Sequence, residues 1–283
     1  MILVTGATGN VGTETVRLLA GQHQRVRALV RDPARLRGVE GGRAGVEVVT
    51  GDFDDPGSLD PAMRGIDTVV LVSPAVPHQE IAAIDAAVRA GVTHVIKATS
   101  KASADSPVER RRGQAQIEQY LQGTDLAWTL LRSNAYLQNL LALAPVIKQT
   151  SGFVMSSGDG QVGMVDARDV AAVAATIATS PGKHAGATYW PTGPALISYT
   201  DVAEELSADL GHQIDYRRAL PDEHRELMIQ AGLPDPIATS NAKAFELIAE
   251  GDAAWITDDV HAVTGNPPRD LHTFLADHLA AFR

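Results

Sequence analysis

Short apolar runs rich in β-branched residues alternate with helical patterns through the first half of the chain. The runs show little alternation of apolar and polar positions, which is typical of parallel strands covered on both faces. The predicted strands are Ile2–Thr5, Val26–Val30, Val46–Thr50, Thr68–Val72, His94–Ala98 and Ala127–Leu131. The predicted helices between them are Val11–Ala20, Asp60–Met63, Gln79–Ala90 and Gly113–Gln122. This order predicts an α/β fold with a doubly wound parallel sheet.

The regular alternation ends near Leu131, and the second half is richer in helices. We expect residues 1–132 to form the sheet domain, with later segments returning to it, and residues 133–283 to form mainly a smaller, helix-rich lobe. The predicted helices of the second half are Ala135–Lys148, Asp169–Ala178, Thr200–Leu210 with a Thr or Asp cap, and most of Pro221–Glu250, interrupted at Gly232–Pro236. The Gly/Ser-rich segment Ser151–Gly163 and one more predicted strand, Ala187–Pro191, lie between these helices.

The composition excludes several classes of protein. The 283 residues carry a formal charge of −10 and include no cysteine, which rules out disulfides, thiolate zinc sites and a cysteine nucleophile. A net acidic chain lacks the clustered basic face that nucleic acids require, and the one short basic cluster, Glu109–Arg112, is expected to be a solvated helix face. The opening residues show no charged leader, and the apolar runs fall short of the roughly 20 residues of a membrane span. We therefore expect a cytoplasmic monomer or homodimer that binds neither a membrane nor nucleic acid.

Three glycines follow the first predicted strand and lead into the first predicted helix. The sequence Thr5-Gly6-Ala7-Thr8-Gly9-Asn10-Val11-Gly12 places them at three-residue intervals, where a tight turn brings the backbone close to a pyrophosphate. Backbone N–H groups and the helix dipole then favour the phosphates. This context predicts a Rossmann dinucleotide site with contacts from Gly6, Thr8, Gly9, Asn10 and Val11.

The end of the second predicted strand distinguishes NADP(H) from NAD(H). An NAD site carries an acidic side chain there to bind the ribose 2′-hydroxyl, whereas this chain has Arg31, Asp32 and then Arg35. Guanidinium groups bind phosphate through charge and paired donors, so Arg31 and Arg35 favour NADP(H), with Asp32 as the opposing feature. The later strand ends extend the predicted cofactor site through Asp52 and Phe53 beside the adenine, Ser73 and Pro74 beside the ribose and pyrophosphate, and Thr99.

The glycine loop, with Leu29–Pro33 and Gly51–Asp55, resembles the NmrA-like, atypical branch of the short-chain dehydrogenase/reductases. Segments later in the chain carry the resemblance further. Glu118 with Trp128–Tyr136 is similar to that branch's helix and sixth strand, and Val165–Ala171 to its later strand–helix junction.

Ala231–Pro236 resembles a segment of the subgroup that contains triphenylmethane dye reductase and type 2 quinone oxidoreductase. The resemblance implies a Rossmann domain and a small C-terminal lobe, with substrate in the cleft between them. It also implies one of two functions. One is NADPH-dependent reduction of quinones, dyes or conjugated carbonyls, and the other is cofactor binding without turnover by a redox sensor.

The residues that donate a proton in the Tyr-Lys members of this family are absent. Those members use a Tyr and a Lys four residues later, and the Lys lowers the pKa of the Tyr. Aligned on Glu118, the Tyr position falls near Arg110 and the Lys position near Gln114. We expect Gln114 to bond the cofactor ribose as a neutral substitute for lysine, but an amide cannot lower the pKa of a tyrosine.

The missing pair favours an acceptor that needs little acid catalysis. A quinone or a similarly conjugated small molecule accepts hydride readily because the resulting oxyanion is delocalised, so that positioning supplies much of the rate. Ser100, Asn134 and Tyr136 are the candidate catalytic residues around that oxyanion, and Lys101 is a weaker candidate.

Two other functions stay open on the sequence alone. One is a non-catalytic NADP(H) sensor or regulator of the NmrA type, and the other is a ketoreductase tailoring enzyme whose substrate assists its own protonation. No metal is expected, because His78, His94 and His212 lack partners at ligand spacing. The segment Asp166–Asp169 is interpreted as a structural polar network and helix cap.

Overall fold

The central sheet is parallel throughout and has seven strands. The computed structural model describes residues 1–35 and 45–283. Strands of the central sheet are β1 (Ile2–Val4), β2 (Val26–Val30), β3 (Val46–Thr50), β4 (Thr68–Leu71), β5 (His94–Thr99), β6 (Ala127–Arg132) and β8 (Ala187–Tyr189). Their spatial order is β3-β2-β1-β4-β5-β6-β8, so the order reverses on either side of β1. Because all the strands run the same way, their carboxyl ends meet at one edge.

Helices connect these strands and continue into the second half. The helices are α1 (Asn10–Gly21), α2 (Leu59–Met63), α3 (Pro77–Ala90), α4 (Glu109–Gln122), α5 (Ala144–Thr150), α6 (Ala167–Thr179), α7 (Tyr199–Leu210), α8 (Pro221–Gln230), α9 (Asp235–Ala249), α10 (Asp259–Thr264) and α11 (Leu271–His278). A second sheet pairs β7 (Gly152–Met155) with β9 (Asp215–Arg218) in parallel. Among the described residues, no helix combines the length and the apolar character needed to cross a membrane.

Both faces of the central sheet are buried, and successive strand residues point to opposite faces. Val4 and Ala28 belong to one core cluster, which α1 and α6 cover. Leu3 and Leu29 belong to the other, which α2, α3 and α4 cover. A third core cluster lies in the second half of the chain and is built around Phe153, Tyr199 and Phe274.

The sequence predicted the first half of this architecture accurately. Each of the six predicted strands agrees with an observed strand to within one residue at either end. The four predicted helices are also present, although α4 begins at Glu109 rather than Gly113. The doubly wound parallel sheet is confirmed. Two later elements return to it as expected, because β8 pairs with β6 and α6 packs beside α1.

Several predictions for the second half were wrong in detail. The helix predicted over Ala135–Lys148 is a 3-10 segment, Leu137–Leu143, followed by α5. The α-helix begins there because Pro145 has no N–H and fits only its first turn. The cap of α7 is Ser198, which forms a capping box with Asp201, and not Thr200 or Asp201.

The sequence analysis also missed four elements of the second half, β7, β9, α10 and α11. Strand β7 lies inside the Gly/Ser-rich segment Ser151–Gly163, and Gly152 permits its pairing. A Cβ at Gly152 would lie 2.8 Å from the carbonyl oxygen of Asp215 on β9. The polar sequence of β9, Asp215–Arg218, gives no apolar signal, since this strand is mostly exposed.

One buried ion pair lies beneath the carboxyl edge of the sheet. Lys97 of β5 and Glu80 of α3 are both fully buried, and Lys97 Nζ lies 2.8 Å from Glu80 Oε2. Ser73, just after β4, donates a hydrogen bond of 2.6 Å to Glu80 Oε1. Lys97 also donates to the carbonyl oxygen of Ala98 at 2.6 Å. Each charge is therefore compensated, and the pair holds the loop after β4 against α3.

Removal of one partner of this pair should destabilise the protein severely. We predict that Lys97→Met lowers the free energy of unfolding by about 3–5 kcal/mol, because Glu80 then keeps a buried charge without compensation. Chemical denaturation measures the change. The control is Arg89→Met, since Arg89 forms an exposed ion pair with Asp60 and its loss should cost about 1 kcal/mol or less. Equal losses from the two variants would contradict the interpretation of Lys97.

Candidate active site

The glycine loop after β1 has a geometry that side chains would block. Gly6 adopts a φ of +57°, in the left-handed region. A Cβ on Gly6 would lie 2.6 Å from the carbonyl oxygen of Val72, and one on Gly12 would lie 2.2 Å from the carbonyl oxygen of Gly6. Both contacts are shorter than van der Waals packing allows, so the tight turn requires glycine at these two positions.

The same loop exposes the first backbone donors of α1. Gly9 caps the helix without any side-chain hydrogen bond, and the N–H groups of Asn10, Val11 and Gly12 bond to no acceptor in the described parts of the chain. Thr8, Gly9 and Asn10 are exposed, while the Val11 side chain is buried in the core. Predicted contacts from Thr8, Gly9 and Asn10 are therefore accessible, and Val11 offers only its backbone.

Arg31 and Arg35 stand at the end of β2 with exposed side chains. Within residues 1–35 and 45–283, neither guanidinium forms an ion pair or a hydrogen bond. Asp32 is engaged locally, because its Oδ1 accepts a hydrogen bond from the N–H of Ala34 at 3.0 Å and so closes the turn. The positive charge at this strand end thus exceeds the negative charge, and it faces solvent.

The next two strand ends differ in how they present their side chains. After β3, Asp52 Oδ1 accepts from the N–H of Asp54 at 3.1 Å, and the Phe53 ring packs partly against the core. After β4, the Ser73 hydroxyl points inward to Glu80, while Pro74 is exposed. Contacts from these four residues to a nucleotide stay a prediction.

Thr99, the last residue of β5, connects three elements. Its Oγ1 lies 2.8 Å from Gln114 Oε1 and 2.9 Å from Glu118 Oε1, both on α4. Glu118 is itself buried and forms an ion pair with Arg132 at the end of β6. The guanidinium of Arg132 also lies 5.1 Å from the ring centroid of Trp190. Gln114 is therefore fixed through its carbonyl oxygen, and its amide nitrogen donates to none of the described residues.

Tyr136 and Ser100 are the two catalytic candidates that retain a usable hydroxyl. Ser100 Oγ is buried without a hydrogen-bond partner among the described residues. Ser133 Oγ lies 3.1 Å from the Tyr136 hydroxyl and 3.2 Å from the carbonyl oxygen of Thr99. Burial raises the pKa of Tyr136, and the hydrogen bond from Ser133 and the charge of Arg110 lower it in part. The phenol consequently keeps its proton at neutral pH.

Asn134 and Lys101 hold the second half of the chain against the sheet. The Asn134 amide donates to the carbonyl oxygen of Ala253 at 3.0 Å, and its Oδ1 accepts from the N–H of Ala135 at 2.8 Å. Lys101 Nζ lies 2.6 Å from Asp252 Oδ1. Both side chains are therefore engaged within the protein, and a catalytic role for Asn134 rests on its position alone.

Asp252 is a residue that the sequence analysis missed. Its carboxylate bonds Lys101 and, at 2.7 Å, Arg111 of α4, so it links the lobe to two neighbouring elements of the sheet domain. Desolvation opposes this charge, but the two cations keep the pKa of Asp252 below its ordinary value. Arg111 was expected in a solvated helix face, and this ion pair corrects that expectation. Neither residue lies in a motif, so the sequence carried no signal for the contact.

The polar network expected over Asp166–Asp169 is confirmed. Asp166 caps α6 through the N–H of Arg168, and it also pairs with the Arg168 guanidinium. Asp169 pairs with Arg269. A further cluster, Glu205, Asp209 and His272, places its ligand-type atoms within 4.8 Å of one another. In it His272 Nδ1 lies 2.6 Å from Glu205 Oε1.

A cleft of about 880 Å³ lies between the start of α4 and the helices α8 and α9. Its walls include Arg112 and Pro107 on one side and Pro221 and Ser240 on the other. Leu220, at its rim, has 75 % of its surface exposed. Residues from the first and second halves of the chain thus border a space large enough for a small molecule.

Comparison with known proteins places this geometry among nucleotide-dependent enzymes. The model of the NmrA-like family matches residues 1–269. The chain is 38% identical over 286 residues to an NAD(P)H azoreductase of Xenophilus azovorans, covering 100% of this chain and 99% of that one. It is 37% identical over 286 residues to a (4-alkanoyl-5-oxo-2,5-dihydrofuran-3-yl)methyl phosphate reductase of Streptomyces griseus, with the same coverage.

Solved structures of two reductases resemble this protein over nearly the whole chain. The NADPH complex of the quinone oxidoreductase QOR2 from Escherichia coli superimposes with a TM-score of 0.89 at 27% identity, covering 99% of this chain and 100% of that chain. The NADP(H) complex of the triphenylmethane reductase from Citrobacter sp. superimposes with a TM-score of 0.85 at 26% identity, covering 98% and 99%. The resemblance seen in the sequence is confirmed by these matches.

Proposed function

The chain belongs to the NmrA-like family, and on that premise we propose that it is an NADPH-dependent reductase of quinones or similarly conjugated small molecules. Hydride transfer in this proposal proceeds without a Tyr-Lys pair. The relatives support a reductase, since those named above are described as azo, quinone, dye and dihydrofuranone phosphate reductases. Each of these acceptors is conjugated.

The residues present fit a dinucleotide. The Gly6 and Gly12 positions have no room for a Cβ, so the backbone can approach a pyrophosphate closely. The unbonded N–H groups of Asn10, Val11 and Gly12 supply donors for its oxygens. Bound NADPH supplies the hydride and the two electrons of the reduction.

The arginines at the end of β2 support NADPH over NADH. Arg31 and Arg35 are exposed, and they have no partner in residues 1–35 and 45–283. A 2′-phosphate would give both guanidinium groups a charged acceptor, whereas a 2′-hydroxyl would leave them unmatched. Asp32 is bonded to the N–H of Ala34, so its carboxylate is turned into its own loop.

The choice of a conjugated acceptor rests on Gln114, a neutral side chain that is hydrogen-bonded to Thr99. This residue occupies the position at which Tyr-Lys members carry lysine, and it is bonded to Thr99. A neutral amide held in this way supplies no proton and no positive charge to a developing alkoxide. Reduction of an isolated ketone needs that help, whereas a conjugated acceptor delocalises the charge over its own atoms.

We assign Ser100 and Tyr136 to the acceptor, Ser100 as a hydrogen-bond donor and Tyr136 as the source of a proton. Ser100 Oγ is unpartnered in the described chain and can donate to an oxygen or nitrogen that gains electron density. The Tyr136 phenol accepts the hydrogen bond of Ser133, which leaves its own proton available for the reduced acceptor. Its raised pKa keeps that proton in place until the acceptor becomes more basic.

The test of this function is oxidation of NADPH in the presence of a panel of quinones, azo dyes, cationic dyes and conjugated ketones. We predict turnover with at least one conjugated acceptor and none with a simple aliphatic ketone, because only the former stabilises its own oxyanion. Absorbance at 340 nm gives the rate, and calorimetry on the same sample gives NADPH affinity. Tight binding of NADPH without any turnover would contradict the reductase and favour a cofactor sensor.

Cofactor selectivity gives a second prediction. In Arg31→Ala/Arg35→Ala, the Kd for NADPH should rise at least tenfold, since each charged hydrogen bond is worth about 1.5–3 kcal/mol, and the Kd for NADH should stay within twofold. Titration calorimetry measures both. The control is Arg25→Ala, an exposed arginine at the opposite end of β2. Parallel losses for NADPH and NADH would reject the 2′-phosphate assignment.

Tyr136 gives a third prediction. Tyr136→Phe should reduce kcat by about 10²-fold, the lower end of the general-acid range, while the Kd for NADPH is unchanged. Because burial raises the pKa of Tyr136 above its ordinary value, kcat of the native enzyme should not fall between pH 7 and pH 9. Tyr120→Phe, at an exposed tyrosine bonded to Asp85, is the control. An unchanged kcat in Tyr136→Phe would remove this residue from the chemistry.

A further inference from the structure

Arg110 lies on the face of α4 that points to the carboxyl edge of the sheet. Gln114 and Glu118 of that face both bond Thr99. Residues four apart stack on one side of a helix, so Arg110 belongs to the same column as Gln114 and stands one turn, about 5.4 Å, closer to the helix start. Helical side chains tilt in that same direction. The Arg110 side chain therefore extends past Thr99, the last residue of β5.

Among the described residues, Arg110 is the one of three consecutive arginines whose guanidinium has no partner. Arg111 forms an ion pair with Asp252, and Arg112 donates to the carbonyl oxygen of Ser106 at 2.7 Å. Among the described residues, Arg110 has neither an ion pair nor a hydrogen bond. A cation without a partner is notable here, because the protein has a formal charge of −10.

Arg110 and Tyr136 both lie beside the end of β5. Tyr136 is tied to the end of β5 through Ser133, which lies 3.2 Å from the carbonyl oxygen of Thr99. The charge of Arg110 is close enough to lower the pKa of Tyr136. The Arg110 side chain is accessible to solvent, yet desolvation by the surrounding protein lowers its pKa. The Arg110 guanidinium is thus accessible to a molecule bound beside the end of β5.

A guanidinium in this position suits a compact anion. Its planar donors pair with two oxygens of a phosphate or carboxylate at once. The relative from Streptomyces griseus is described as the reductase of a methyl phosphate ester. Because Tyr136 serves the reduced acceptor, an anion on Arg110 would hold the conjugated part of the same molecule beside that phenol.

We propose that Arg110 binds an anionic group, a phosphate monoester or a carboxylate, carried by the acceptor. This inference rests on the proposed reductase function and narrows its substrate class to anionic conjugated molecules. Arg110 in this role is a substrate-binding residue that sets the Michaelis constant and takes no part in hydride transfer. Neutral quinones are then turned over, but with weaker binding.

Anion binding can be measured without turnover. We would titrate phenyl phosphate and, separately, benzoate into protein saturated with NADP⁺, so that the cofactor's own phosphate contacts are occupied. The native protein should bind at least one of the two, and Arg110→Gln should raise its Kd tenfold or more. Arg110→Lys should recover part of the affinity, since a lysine keeps the charge but not the paired donors.

The matched control is Arg25→Gln, which removes the same charge from an exposed position at the opposite edge of the sheet and should change the Kd less than twofold. Binding of phenyl phosphate alone identifies a phosphate subsite, and binding of benzoate as well identifies a general anion subsite. Absence of binding to the native protein, or equal losses in Arg110→Gln and Arg25→Gln, would overturn the proposal. Thermal melting of each variant with NADP⁺ confirms that it is folded.

Kinetics then separate recognition from chemistry. The probe is a naphthoquinone with a carboxylate side chain, compared with its methyl ester. Arg110→Gln should raise the KM of the acid tenfold or more and leave the KM of the ester and both kcat values within twofold. An equal fall in kcat for acid and ester would overturn the proposal. If NADPH binds but neither probe is reduced, the reductase function fails, while the titrations still decide whether Arg110 binds anions.

Discussion

The hydrogen bonds of Thr99 determine how the candidate site is assembled. Its hydroxyl holds Gln114 and Glu118 of α4, and its carbonyl oxygen is bonded to the N–H of Ser133. The end of β5, the middle of α4 and the turn after β6 are therefore fixed to one residue. A buried polar group left without partners costs about 1–3 kcal/mol, so this arrangement is strongly preferred over its alternatives. The positions of Tyr136 and Arg110 follow from these hydrogen bonds of Thr99.

This arrangement explains how an enzyme of this family can act without the Tyr-Lys pair. In the Tyr-Lys members one face of the helix supplies both proton and cation, whereas here that face carries Arg110 and a bonded Gln114. In the function proposed above, Tyr136 supplies the proton from the other side of Thr99. In that proposal the acid lies in the turn after β6, and the positive charge that binds the acceptor lies on α4. Such a site suits acceptors that delocalise their own charge.

The second half of the chain is attached through charged contacts rather than through a continuous apolar interface alone. Asp252 bonds Lys101 and Arg111, and Asn134 bonds the carbonyl oxygen of Ala253. All of these contacts lie beside the turns that carry the candidate catalytic residues. Their polar character is appropriate to a boundary that a substrate must enter, because such contacts can open without exposing apolar surface to water. The ion pair of Lys97 and Glu80, by contrast, is fully enclosed and stabilises the loop after β4.

The sequence by itself determined the central sheet, the glycine loop and the arginines at the end of β2. Those features are local: strand runs, helix periodicity and a Gly6–Gly12 spacing depend on neighbours within a few residues, so a pattern can reveal them. The tertiary structure alone decided the bonds of Asn134, the enclosure of Lys97 by Glu80 and the pairing of Lys101 with Asp252, 151 residues away. It also decided that β7 and β9 pair, although both strands are short and β9 is polar. Contacts of this kind arise from packing of distant segments, for which a single sequence carries no periodic signal.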